Sequence, residues 1–129
     1  MFEIAGSLYK AEAGLIETYD NMMDEELDTW HGMVNEVSTA GIFRAAQHTH
    51  TPLDIVNISG MEDVSALSRY KVLFWPHAVM ISETEAKLMQ DYVENGGTLV
   101  FGCRTGYKDG TGKCIMDKLP GAVSGLTGA

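Results

Sequence analysis

YKVLFWPHAVMISETEAKLMQDYVENGGTLVFG, residues 70–102, reads as strand, helix, strand, the unit from which parallel sheets are built. Val72, Leu73, Phe74 and Trp75 make an unbroken apolar run, the pattern of a strand covered on both faces. Pro76 stops it, because proline brings no N–H to the ladder. Ser82 followed by Glu85 is a capping box, and Ile81 stands where it can staple onto Ala86. Ala86, Met89, Tyr92 and Val93 share one helical face, while Glu83, Lys87, Asp91 and Glu94 share the face toward water. Gly96 supplies a left-handed stop with Gly97 beside it, and Thr98 to Phe101 form a second β-rich run.

Upstream, residues 59–69 form a polar connection with one helical turn expected at Val64 to Leu67. LDIVNI, residues 53–58, alternates and is β-branched, which predicts a strand. The HTHTP segment at residues 48–52 ends the helix before it, since the residue preceding proline avoids the helical region. That helix is expected over residues 24–48. Leu27, Trp30, Val34, Val37 and Gly41 recur at three- and four-residue spacing, and Phe43, Ala45 and Ala46 extend the pattern. Gly32 and Gly41 each cost about 1 kcal/mol relative to alanine and mark places for a break. The acidic run Asp24-Glu25-Glu26 suits a helix N-terminus. EIAGSLY, residues 3–9, is expected as the first strand, although Gly6 weakens it, and residues 10–21 lack a clean period.

Downstream of Gly102 the chain changes character. CRTGYKDGTGKC, residues 103–114, is turn-forming, with a tight turn at Asp109-Gly110. The tail has room for a short helix from Pro120, diluted by glycines. The order is strand, helix, strand, link, strand, helix, strand. With right-handed crossovers it predicts an α/β fold: a three-layer α/β/α open, mainly parallel sheet of flavodoxin-like kind.

The 129 residues are expected to form a single α/β domain. Nine basic residues against eighteen acidic ones argue against nucleic acid or an anionic membrane as partner, because phosphate binding needs clustered Lys and Arg. The N-terminus lacks the basic start and long apolar segment of a signal peptide, and no run approaches the ~18 apolar residues of a membrane span. A cytoplasmic location is expected. Cys103 and Cys114 read as free thiols in a reducing compartment, with pairing across the intervening loop as the alternative.

The order and spacing of these motifs carry a family resemblance. Pro76, the Ser82-Glu83 helix start, the Gly96-Gly97 pair running into Thr98-Leu99-Val100, Thr105-Gly106, Asp109, Pro120-Gly121 and Leu126-Thr127-Gly128 together resemble the trimerisation domain of family 42 β-galactosidases. FRAAQHTHTPLDIV, residues 43–56, resembles that family's helix leading through a proline turn into the second strand. The resemblance is close from Phe43 onward and loose over residues 3–42. It implies a class I glutamine amidotransferase-like fold and a non-catalytic role in subunit association. It implies a catalytic (β/α)₈ barrel elsewhere in a longer parent chain as partner, and a homotrimer of that parent. The family's catalytic glutamates belong to the barrel, so the resemblance assigns no catalytic, cofactor-binding or metal residue here, and the chain reads as a partial or excised piece.

The residues themselves are tested against chemistry. Amidotransferase relatives use a cysteine on a strand-to-helix elbow, which needs small residues two before and two after it. Around Cys103 those positions are Phe101 and Thr105, and a turn-rich loop follows in place of a helix. His77 lies just past a strand end, where open α/β sheets bind ligands, but no nucleophile or partner stands in register with it. His48 and His50 offer two metal ligands where zinc wants three or four, and His31 has no matching spacing. Asp24-Glu25-Glu26 and Glu83/Glu85 read as helix-start charges, not a glycosidase pair held about 5–9 Å apart. Residues 106–112 lack the Gly-Lys-Ser/Thr ending of a phosphate loop. Trp30, Trp75, Tyr70 and the methionines read as core, and Trp75 or Tyr107 as possible borders of a subunit contact. Two alternatives stay open beside the assembly reading. One is a hydrolase of amidotransferase type using Cys103 or His77. The other is a flavodoxin-like small-molecule module, against which stands the single glycine in residues 10–15.

Overall fold

A computed structural model describes residues 6–28 and 32–128. Four parallel strands, β1 (Ala13–Ile16), β2 (Leu53–Val56), β3 (Val72–Trp75) and β5 (Thr98–Phe101), form one sheet in the order β2-β1-β3-β5. A two-stranded parallel ladder joins β4 (Met80–Ile81) to β6 (Lys108–Asp109). The helices are α1 (Tyr19–Leu27), α2 (Val34–His48), α3 (Glu83–Glu94) and the short α4 (Ser124–Thr127). Single 3-10 turns lie at Val64–Leu67 and Gly121–Val123. The expected open, parallel α/β sheet is the observed one.

The unit at residues 70–102 folds as its residues dictate. The Ser82 hydroxyl accepts the Glu85 backbone N–H at 3.2 Å, and the Glu85 carboxylate accepts the Ser82 N–H at 2.9 Å, completing the capping box. Such a cap is worth about 1 kcal/mol. At the other end Gly96 N–H reaches Val93 O at 2.9 Å and Gly97 N–H reaches Tyr92 O at 3.1 Å, the paired bonds of a Schellman stop with Gly96 at φ +91°. Gly97 is required for a different reason. A Cβ there would lie 2.2 Å from the ring of Tyr92, which packs over it and donates its hydroxyl to Tyr70 O at 3.1 Å. Burial raises the Tyr92 phenol above its ordinary pKa, ahead of the opposing effect of its bond to Thr98.

Leu88, Met89 and Tyr92 of α3 join Leu73, Trp75, Ile16, Val56, Leu67 and Val123 in the main core. Burying each such side chain contributes roughly 2 kcal/mol. The opposite face of the sheet is covered less well. There Ala13, Leu15 and Leu53 pack against Ile42 and Ala46 of α2, with Val72 and Phe74 only half-buried. Strand β3 is therefore fully covered on the Leu73/Trp75 side alone, which corrects the expectation of two covered faces.

Three expectations from the N-terminal third are also corrected. Residues 6–9 form no strand, and residues 3–5 lie outside the described residues. The first strand is β1, in the stretch that showed no period. The expected helix over residues 24–48 is two helices, α1 starting earlier at Tyr19 and α2 starting at Val34, so the chain departs from helix near Gly32. Of the apolar stripe assigned to that helix, Ala46 packs against the sheet but most of the rest is not core, and of the methionines read as core Met22, Met33 and Met116 are exposed. Leu27 and Val37 are exposed, and Trp30 lies outside the described residues.

Candidate functional site

In an open α/β sheet the ligand crevice lies beyond the carboxyl ends of the strands, where the strand order reverses. Here that point falls between β1 and β3. It is closed. Thr18, just after β1, Asn21 in α1 and His77, just after β3, are each 2% exposed. The Asn21 amide donates to Thr18 Oγ1 at 2.7 Å and to Met80 O at 2.9 Å, and Asn21 Oδ1 accepts the Met80 N–H at 2.8 Å. One side chain thus stands in for a strand partner beside β4 and joins the two loops that would otherwise flank a ligand.

A second tie reinforces the first. The Lys108 ammonium on β6 donates to Asp24 at 2.5 Å and to Asp28 at 3.1 Å, all three side chains being largely buried. Burial pulls the Lys108 pKa down, but the hydrogen bonds and charges of Asp24 and Asp28 outweigh it and leave the ammonium raised. Asp24 was expected as a helix-start charge. It sits mid-helix in α1 and serves as the anchor for β6.

Cys103 is exposed on the turn that follows β5, whereas His77 is buried just after β3. After β5 the chain makes a turn over residues 103–106 in place of the helix an elbow needs, and Thr105 Oγ1 closes it on Gly102 O at 3.0 Å. The positive φ of 60° falls on Arg104, one residue past the cysteine, and the Arg104 guanidinium lies 5.1 Å from the centre of the Tyr107 ring. Cys103 and Cys114 are both exposed and unbonded. His48 and His50 are exposed at the end of α2, and His31 lies outside the described residues. Among the described residues no three His, Cys, Asp or Glu side chains gather as a metal site. Asp109, in the tight turn, accepts from Thr111 Oγ1 at 2.6 Å and from the Thr111 and Lys113 N–H groups, and these bonds hold its carboxyl below the ordinary range.

A wider opening lies elsewhere among the described residues. A cleft of about 720 Å³ is bounded by the carboxyl ends of β1 and β2, by α1 and by the first turns of α2. Leu15 and Ile55 form its floor, Met22, Met33 and Phe43 its apolar walls, and Glu17, Glu26 and Glu36 its edge. Glu25 is committed to the fold, accepting the Asn35 N–H at 2.7 Å and the Glu36 N–H at 3.4 Å at the start of α2. Residue-by-residue reading missed this cleft. Its signal was the run of apolar residues at helical spacing in α1 and α2, which was read only as the mark of a helix.

A filled crevice at the strand ends beside an open apolar surface defines the class structurally: an open, parallel α/β domain whose accessible apolar side chains lie between its first two helices. The family described as the β-galactosidase trimerisation domain matches residues 15–129, and the chain belongs to that family. It is a non-catalytic domain. It is 25% identical over 127 residues to the β-galactosidase LacZ of Heyndrickxia coagulans, an alignment that takes in 98% of this chain and 18% of the relative. It is 31% identical over 87 residues to the β-galactosidase BgaH of Haloferax lucentense, covering 64% of this chain and 13% of the relative. The chain therefore spans less than a fifth of these proteins. The solved β-galactosidase of Bacillus circulans sp. alkalophilus superposes with a TM-score of 0.83 at 18% identity, over 96% of this chain and 18% of that one. The β-galactosidase of Rahnella sp. R3 gives 0.82 at 20% identity, over 96% and 18%. At these identities the superpositions speak for the fold alone.

Proposed function

We propose that this chain is the assembly part of a longer β-galactosidase-type glycoside hydrolase, one α/β unit that helps three subunits associate. The family match over residues 15–129 carries the reading. The catalytic (β/α)₈ barrel belongs to the rest of the polypeptide, and the relatives' much greater length supports this. The unit contributes surfaces and supplies no catalytic, cofactor or metal residue; the closed crevice at Asn21 and the missing elbow at Cys103 support that assignment. The strand order is compatible with a class I glutamine amidotransferase-like fold from which the nucleophile elbow is missing. The two exposed, unpaired thiols of Cys103 and Cys114 support a reducing, cytoplasmic setting for the parent protein.

The test is the mass of the full-length polypeptide by light scattering, read beside its galactosidase activity. A trimer of active subunits is expected. A fully active monomer at micromolar concentration overturns the assembly role.

A further inference from the structure

We infer that the cleft between α1, α2 and the ends of β1 and β2 receives an apolar side chain flanked by Lys or Arg from a neighbouring subunit. The inference rests on the assembly reading and names the surface through which it operates.

Four large apolar side chains meet in this cleft while remaining between 41% and 60% exposed: Phe43, Met22, Met33 and Ile55. A contiguous apolar surface of this kind, rimmed by polar groups, marks a contact site. Two of its walls are methionines, whose unbranched side chains adapt to the shape of an incoming group.

The rim states the chemistry of the occupant. Glu17, Glu26 and Glu36 stand at its edge, and among the described residues no Lys or Arg pairs with any of them. Elsewhere Glu12, Asp24, Asp28 and Asp54 each have a cationic partner. Three uncompensated carboxylates around an apolar floor favour a cationic, partly apolar group and repel an anionic one.

The same rim bears on geometry. A two-fold axis passing through the cleft would set its acidic edge against the same edge of the mate, and like charges facing each other are costly. A three-fold ring has no such requirement. Each subunit there offers one patch and meets a different patch of the next, so an acid-rimmed cleft has a basic partner available to it.

Methionine oxidation tests the proposal, because Met22 and Met33 report on the cleft from within. The full-length protein and the isolated chain are treated with dilute hydrogen peroxide, and oxidation at each methionine is followed by peptide mass spectrometry. Met116, 88% exposed and outside the cleft, and Met89, fully buried, are the reference positions. Met22 and Met33 are expected to oxidise at least tenfold more slowly in the trimer than in the isolated chain. The double variant Glu17→Lys/Glu26→Lys is expected to abolish that protection while keeping the helical circular dichroism of the parent. A trimer whose Met22 and Met33 react at the isolated-chain rate overturns the cleft proposal and leaves the assembly reading standing. A monomer overturns the assembly reading, and protection that persists in the monomer overturns the neighbouring-subunit occupant. Protection that survives the charge reversal overturns the basic partner.

Discussion

The two faces of the sheet are built to different standards. On one, α3 is capped at both ends, and Leu88, Met89 and Tyr92 close against Leu73 and Trp75 with almost no exposure. On the other, α2 has no buried residue, and Ile55, Val37 and Phe43 remain open to solvent. The α3 face holds the fold together. The α2 face is left with surface to offer, as an assembly domain requires.

The largest effect that separates the faces is the removal of a side chain from each. Met89→Ala, which empties a fully buried position, is expected to cost about 3 kcal/mol in urea denaturation of the isolated chain. Phe43→Ala, at the cleft, is expected to cost less than about 1 kcal/mol, because much of that ring is already in water. Equal losses would dissolve the distinction between a stabilising face and a presenting one.

The tie between α1 and β6 comes next. Lys108→Met leaves Asp24 and Asp28 partly buried without their cation and is expected to cost roughly 2 kcal/mol. Amide hydrogen exchange should quicken in α1 and leave α3 unchanged. The raised Lys108 pKa fixes the sign of the alkaline limb. Its stabilisation is fully present below the unfolded value, near 10.4, and is lost as pH rises through the higher folded value. Uniform exchange rates across both helices would show that the wall of the cleft is not held separately.

The smallest expected effect is at Asp109. Its folded pKa is depressed by the Thr111 and Lys113 bonds, so its contribution is present above the unfolded value, near 3.9, and lost as pH falls through the lower folded value. Asp109→Asn should flatten the urea midpoint against pH in that acid window and change nothing at neutrality. An unchanged acid limb would remove Asp109 as a contributor.

The well-packed half was legible in the sequence because its signals were local. The capping box at Ser82 and Glu85, the Gly96 stop and the turn at Val64 to Leu67 are each written in neighbouring residues. Strand β1 was not legible, because its necessary residue looks like a defect. Gly14 weakens the pattern, yet a Cβ there would lie 2.6 Å from Leu73 and 3.0 Å from Val56, so the central strand has no room for a side chain at that point. The ladder of β4 and β6 has two residues per strand, too few to establish a period. The cleft was not legible for another reason: apolar spacing reports a face that avoids water without saying whether this chain or another one covers it. Composition and charge suggested the kinds of partner to set aside, and the family resemblance pointed to assembly, but neither located the surface.

Asn21 and Asp24 close their bonds with residues far along the chain, Met80 and Lys108, which lie 59 and 84 positions later. On a ribosome the helix that carries them emerges long before either partner exists. The α1 wall therefore gains its first fastening once Met80 has been made and its second only with Lys108 of β6. The order of synthesis delays completion of the docking surface until the stabilising layer behind it is in place, which limits the time an open apolar edge meets other nascent chains.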